Sequence, residues 1–183
     1  MTKSFEDQLA SFLTATFGNS VWDDSPKKTA ARWMKAMREF QTNSVMNFEP
    51  TTFKATANQL IVVRGIKFSS LCAHHLFPFQ GTAHVGYIPN KLMIGVSKIP
   101  RIVHHFSARP STQETLTRAI ASFLKDTVEA QGVAVVLESV HTCMSCRGVK
   151  ERDASMVTSE MRGAFLTSME ARQEFLVLTG VRS

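Results

Sequence analysis

A chain of 183 residues that is 44% hydrophobic and 20% charged has the make-up of one folded domain with its own core, and lies outside the range of disordered segments. Its 21 Lys+Arg against 15 Asp+Glu leave a net charge of +6, which suits a polyanionic partner without separating nucleic acid from a small phosphorylated ligand. The longest apolar runs, such as Gly132 to Leu137, are far too short to span a bilayer, and MTKSFEDQLASF at the N-terminus carries acidic residues early, so a cytoplasmic protein with no membrane partner is expected.

Ser4 and Asp7 have the spacing of a helix cap, and Phe5, Leu9, Phe12, Leu13 and Thr16 recur at helical intervals until Gly18. Ser25-Pro26 opens a second predicted helix to about Phe40, with Trp33, Met37 and Phe40 on its apolar side. Residues from about Thr42 to Asn58 are polar, irregular and contain Pro50; they read as a connection. The expected division is an N-terminal helical extension over 1–57, too small to fold alone, and a main domain over 58–183.

LIVVRGIKF and TAHVGYIPN, bounded by Gly, Pro and Asn, predict strands. Ile99, Ile102, Val103 and Phe106 share a helical face behind a Ser97 cap. Leu116, Ile120, Phe123 and Leu124 share another, with Ser111 and Glu114 at capping-box spacing. GVAVVLESV predicts a buried strand, the stretch after Arg147 reads as extended, and a last helix is expected from about Thr167 to Leu178. This order gives an α+β fold with helices on one face of a mainly antiparallel sheet.

Three cysteines are too few for a disulfide framework and direct attention to thiol or metal chemistry. Cys72-Ala-His74-His75 pairs a thiolate with an imidazole, and His141-Thr-Cys143-Met-Ser-Cys146 repeats the combination far along the chain. Sulfur with imidazole suits zinc better than calcium or magnesium. Spacing alone leaves open a closed structural site of Cys72, His75, Cys143 and Cys146, and an open site with three protein ligands. A Cys143/Cys146 redox pair lacks a surrounding βαβ pattern. Near Ser97, where a strand gives way to a helix, Lys98 and Arg101 lie opposite the apolar stripe; with unpaired helix-start N–H groups they could hold a phosphate chain, or be ordinary surface charges. His84, His104 and His105 are expected to be structural or exposed.

Taken together, FSSLCAHHLFPFQGTAHVGYIPNKLMIGVSKIPRIV, FSARPSTQETLT and GVAVVLESVHTCMSCRGV resemble GTP cyclohydrolase I in order and spacing, from about Val62 to Phe175. The resemblance reaches back to Thr29-Ala-Ala-Arg-Trp-Met-Lys, where the family has Thr-Pro and this chain Thr-Ala; Ala73 also stands where the family commonly has glutamate. It implies the tunnelling fold, in which antiparallel sheets of several subunits close a barrel. It implies a homodecamer with active sites between subunits, and conversion of GTP and water to 7,8-dihydroneopterin triphosphate and formate, a first step toward folate, pterins or 7-deazaguanines. Residue by residue, the resemblance implies one zinc ion on Cys72, His75 and Cys143, with Cys146 a bystander, and His74 and His141 as catalytic histidines. By the same match, Gln113 and Glu114 meet the guanine edge. Ser97, Lys98, Arg101 and Arg147 bind the triphosphate, with Arg32 and Lys35 supplied by a neighbouring subunit. A pterin or deazapurine enzyme of the same fold is the alternative; its cysteine-nucleophile and three-histidine versions lack these paired motifs. A zinc-stabilised nucleic-acid-binding module is weighed down by the absence of a basic-aromatic stripe and of finger spacing.

Overall fold

In the computed structural model, which describes residues 4–44 and 49–181, contacts divide the chain into two units, Met1–Asn43 and Ser44–Ser183. The first is a helix pair. Helix α1 (Phe5–Phe17) starts where the Ser4 hydroxyl accepts from the Asp7 N–H at 3.2 Å and ends at Gly18 with φ 80°, a left-handed conformation that glycine adopts without strain. Helix α2 (Pro26–Ser44) has proline at its first position. Lys27 joins the two helices by an ion pair to Asp7 at 2.9 Å. Phe5, Phe12 and Phe17 are mostly exposed and α1 fully buries no side chain, so the predicted apolar stripe exists without a core of its own.

The second unit begins with a strand that the sequence did not signal. β1 (Thr52–Lys54) falls inside the expected connection and pairs antiparallel with the later β4 (Leu92–Ile94); three residues are too few for an alternating pattern to register. The main sheet contains β2 (Ile61–Cys72), β3 (Pro78–Ile88), β5 (Pro110–Ser111), β6 (Gly132–His141) and β7 (Met156–Gly163) in the order β5-β2-β3-β6-β7. Neighbours are antiparallel except β5, which runs parallel to the end of β2. Arg64 and Gly65 form a bulge opposite His84, with Gly65 at φ 76°.

Helices α3 (Lys98–Ser107) and α4 (Gln113–Val128) cover one face of this sheet. Ile66, Phe68, Phe79, Val85, Tyr87, Val133, Val135 and Leu137 alternate toward Ile99, Ile102, Val103, Leu116, Ile120 and Leu124. Full burial of each large apolar side chain contributes about 1.5–3 kcal/mol. After the one-turn α5 (Thr142–Ser145) and β7, α6 (Ala164–Thr167) and α7 (Met169–Thr179) return to the opposite face. There Phe165 and Phe175 pack with Ala134 and Val136. That second layer explains why GVAVVL is apolar at consecutive positions: this part of β6 is buried on both sides. Among the described residues no helix is long and apolar enough to cross a membrane.

Two local expectations change. Thr112, not Ser111, caps α4, its hydroxyl accepting from the Thr115 N–H at 3.2 Å, because Ser111 is drawn into β5 opposite Cys72. The stretch after Arg147 turns through Gly148 (φ 63°) and Lys150 (φ 56°) and becomes extended only at Met156.

Gly81 permits the close approach of β3 and β6: a Cβ there would land on the Glu138 carbonyl oxygen and lie 2.8 Å from Ser139 Cα. Gly81→Ala is expected to cost about 1–3 kcal/mol, read as a lower urea midpoint. Burial holds His84 and His105 below the ordinary histidine value, with Arg64 and Lys67 reinforcing the effect at His84, Arg109 doing so at His105, and Glu138 opposing it at His84. The unfolded chain therefore binds more protons just below pH 6.5, so stability is full above that pH and falls as pH drops through the folded values. Urea midpoints in chelator at pH 7.5 and 5.5 should show this loss, and His84→Gln should make it smaller.

Candidate metal centre and its surroundings

β2 ends at Cys72, and a tight turn folds the next residues back over it. The Cys72 N–H donates to the Phe77 carbonyl at 2.8 Å, the Leu76 N–H to the Cys72 carbonyl at 2.8 Å, and the Ala73 N–H to Ser111 at 3.1 Å. Leu76 takes φ 55° to close the turn. His75 Nδ1 is thereby held 3.8 Å from Cys72 Sγ. Cys143 lies on α5, directly after β6, and Thr142 ties that helix to the start of β3 by donating to the Pro78 carbonyl at 2.6 Å. Because β3 separates β2 from β6 and pairs with both, two motifs distant in sequence meet at one sheet end.

Cys72 Sγ, a ring nitrogen of His75 and Cys143 Sγ all lie within 4.8 Å of one another. Tetrahedral zinc with two sulfurs and one nitrogen places such atoms about 3.6–3.8 Å apart, so the residues fit the ion with small side-chain adjustments. Cys146 does not join them: its exposed thiol donates to the Thr142 carbonyl at 2.7 Å. The arrangement is that of three protein ligands, as in an open site. Burial, and next the adjacent Cys72 thiol, push the Cys143 thiol above its ordinary value, while Arg147 pulls it down. A divalent cation would reverse that penalty by favouring both thiolates. His74 Nδ1 also lies 3.8 Å from Cys72 Sγ, on an exposed ring at the rim of the cluster.

His141, the last residue of β6 and two residues before Cys143, is held by neighbours on two sides. Its ring stacks on the fully buried Phe79, with centroids 4.5 Å apart and planes at 6°. Its Nε2 lies 2.9 Å from Gln113 Oε1. Burial lowers the His141 pKa, and the nearby Glu114 opposes the shift. Gln113, expected at the guanine edge, is 1% exposed and directs its amide inward. Its Nε2 donates to the Leu137 and Met156 carbonyls, and its Oε1 accepts from Ser139. Glu114, one residue on, is exposed in the first turn of α4 and free of the predicted capping role. Ser139 and Phe79 escaped the sequence reading; the signal for Ser139 was a hydroxyl on the inward register of GVAVVLESV.

The expected phosphate residues are placed differently. Arg147 follows α5 and is close enough for its charge to act on Cys143. Ser97, Lys98 and Arg101 begin α3 near the other sheet end, where Ile94 N–H meets the Tyr87 hydroxyl at 3.2 Å. The ten-residue α3, roughly 15 Å long, lies between them and the cysteine end. The first N–H groups of the helix itself are committed or missing: Lys98 N–H bonds Gly95, Ile99 N–H bonds Val96, and Pro100 has none. Ser97 makes no cap hydrogen bond. Any anion there would be held by side chains. In the first unit, Arg32 pairs with Asp24 at 2.8 Å and Lys35 is exposed on α2.

Comparison with known proteins adds three findings. A family model described as GTP cyclohydrolase I matches residues 5–180. A "GTP cyclohydrolase 1" of Sulfurihydrogenibium sp. is 46% identical over 155 residues, covering 85% of this chain and 81% of the relative; one of Campylobacter jejuni is 41% identical over 182 residues, covering 97% and 95%. Among solved structures, the archaeosine synthase QueF-Like in its apo form superposes with a TM-score of 0.50 at 16% identity, over 59% of this chain and 97% of that one. This last likeness establishes the shared tunnelling-type fold alone.

The ligand set predicts a spectroscopic result. Cobalt titrated into the full chain should give thiolate charge-transfer absorption saturating at one ion per chain. Cys143→Ser or Cys72→Ser should weaken binding by at least tenfold, and Cys146→Ser should leave it unchanged; undiminished binding in Cys143→Ser would refute the assignment.

Proposed function

The chain belongs to the GTP cyclohydrolase I family, and from that premise we propose that it converts GTP and water to 7,8-dihydroneopterin triphosphate and formate. The observation that carries this reading is the convergence of Cys72, His75 and Cys143 beside the stacked imidazole of His141. Those three residues would hold zinc, which when bound supplies an acidified water for hydrolysis.

The chain's own groups then divide the work. His141 takes up a proton from the hydrolytic water and gives it to the purine's five-membered ring as its carbon–nitrogen bond opens; burial lowers its pKa, which makes the protonated ring a readier donor. His74, exposed at the rim, serves the ribose, where ring opening precedes rearrangement. Glu114 accepts from guanine N–H groups, which selects guanine over adenine. With the Gln113 amide committed to the interior, this reading gives Gln113 only an indirect part in guanine recognition.

Ser97, Lys98, Arg101 and Arg147 are the proposed triphosphate ligands. Within one chain the first three are separated from the cysteine end by the length of α3. That separation favours a triphosphate bound by α3 of another copy, so we read the enzyme as a homo-oligomer, a decamer in the family manner, with active sites between subunits. Arg32 and Lys35 would act from a neighbouring copy.

Incubation with GTP should release formate and, after oxidation, a fluorescent pterin; no release from zinc-loaded protein would overturn the function. Cys143→Ala should abolish turnover. His141→Ala should lower kcat by on the order of 10²–10⁴, and Glu114→Gln should act mainly by raising KM for GTP.

A further inference from the structure

Gln113 is an unusual residue for the first turn of a helix: its side chain is almost wholly buried and sits at the centre of a polar network inside an apolar core. The direction of every bond in that network follows from its partners. The Leu137 and Met156 carbonyls, 3.0 and 2.9 Å away, can only accept, so the group facing them is the amide NH2. The Thr117 hydroxyl donates to the Gln113 backbone carbonyl at 2.7 Å. Thr158 accordingly donates to Thr117 at 2.7 Å and, 3.1 Å from Gln113 Nε2, shares one of the two amide hydrogens with a carbonyl. The amide oxygen is left facing the Ser139 hydroxyl at 2.6 Å and His141 Nε2 at 2.9 Å. An oxygen accepts, so His141 must carry a hydrogen on Nε2.

We propose that Gln113 is a positioning residue that fixes the orientation of the His141 ring and holds its hydrogen on Nε2, so that Nδ1 is the ring nitrogen left to meet the substrate. A neutral imidazole carries one N–H, and committing Nε2 to an inward acceptor leaves the Nδ1 lone pair as the basic site. Phe79 fixes the ring plane by stacking and Gln113 fixes its rotation about that plane. A glutamine can do this without adding charge: its two donors are held by backbone carbonyls that cannot rotate away, so the amide cannot flip and present NH2 to the imidazole. The assignment of proton transfer to His141 rests on the proposed activity; the hydrogen's location does not.

The test uses the full chain labelled with ¹⁵N in histidine only, with magic-angle-spinning spectra recorded on zinc-loaded and metal-stripped protein above pH 7.5. The His141 signals are assigned by their loss in His141→Asn. The expected result is a protonated Nε2 and a bare Nδ1 in both preparations; a hydrogen on Nδ1 of neutral wild-type His141 would overturn the proposal without any variant of Gln113. In Gln113→Leu the Nε2–H preference should be lost, with kcat for formate release falling on the order of 10²-fold and KM for GTP changing less than about twofold. A rise in KM with unchanged kcat and an unchanged ring spectrum would instead make Gln113 a guanine contact and overturn the proposal. Gln113→Glu, which keeps an acceptor toward His141, should retain the Nε2–H signature and recover part of kcat; it also serves if the leucine variant fails to fold. Absence of formate from wild-type protein would remove the activity while leaving the ring spectrum to decide the hydrogen's position.

Discussion

The strand register at one end of the main sheet is the constraint on which everything else rests. Leu71 pairs with Pro78, and Phe79 pairs with His141, so the last residues of β2 and β6 emerge at the same end, separated only by the start of β3. Strand side chains alternate between faces, and a slip of one residue would move the set to the other side. With Leu137 and Ser139 inward, His141 must be inward too, stacked on Phe79, and Cys143 follows on the next helical turn. Burial of Val133, Val135 and Leu137 under α4 therefore fixes the placement of His141 and Cys143 as well as the core. The same apolar contacts serve stability and the candidate site.

Polar groups in that core are few and fully used. Gln113, Ser139, Thr117 and Thr158 satisfy one another and three backbone carbonyls within a small volume. Such a network is costly when incomplete and rigid when complete. Here it lies directly behind His141, and a rigid backing of this kind holds an imidazole in one orientation. The metal-binding side differs: two thiols share a half-buried site, and burial disfavours ionisation of Cys143. A divalent cation would offset that penalty, and its binding would then add to the stability of the sheet end.

The two ends of α3 are the reason for proposing that a second copy completes the site. The cationic residues Lys98 and Arg101 open the helix, whereas its last residues lead through β5 to Cys72. A rigid helix cannot bring its two ends together, so under that proposal the chain presents half of a nucleotide site at each end of its sheet. Under the same proposal part of the net charge of +6 takes on a local meaning, as cations placed for a polyphosphate.

By itself the sequence determined the α+β class, the main strands and helices, and the residues able to hold a soft divalent ion, because periodicity and ligand chemistry are local properties. The Ser4 cap of α1 and the proline start of α2 were readable for the same reason. Only the tertiary structure decided which hydroxyl capped α4, that Thr52–Lys54 would find Leu92–Ile94, and that Cys146 would turn to Thr142 while Cys143 turned to Cys72. It also decided that Gln113 faces inward. Each of these depends on a partner dozens of residues away or on a choice between neighbouring side chains of equal propensity, and such choices are made by packing and strand register.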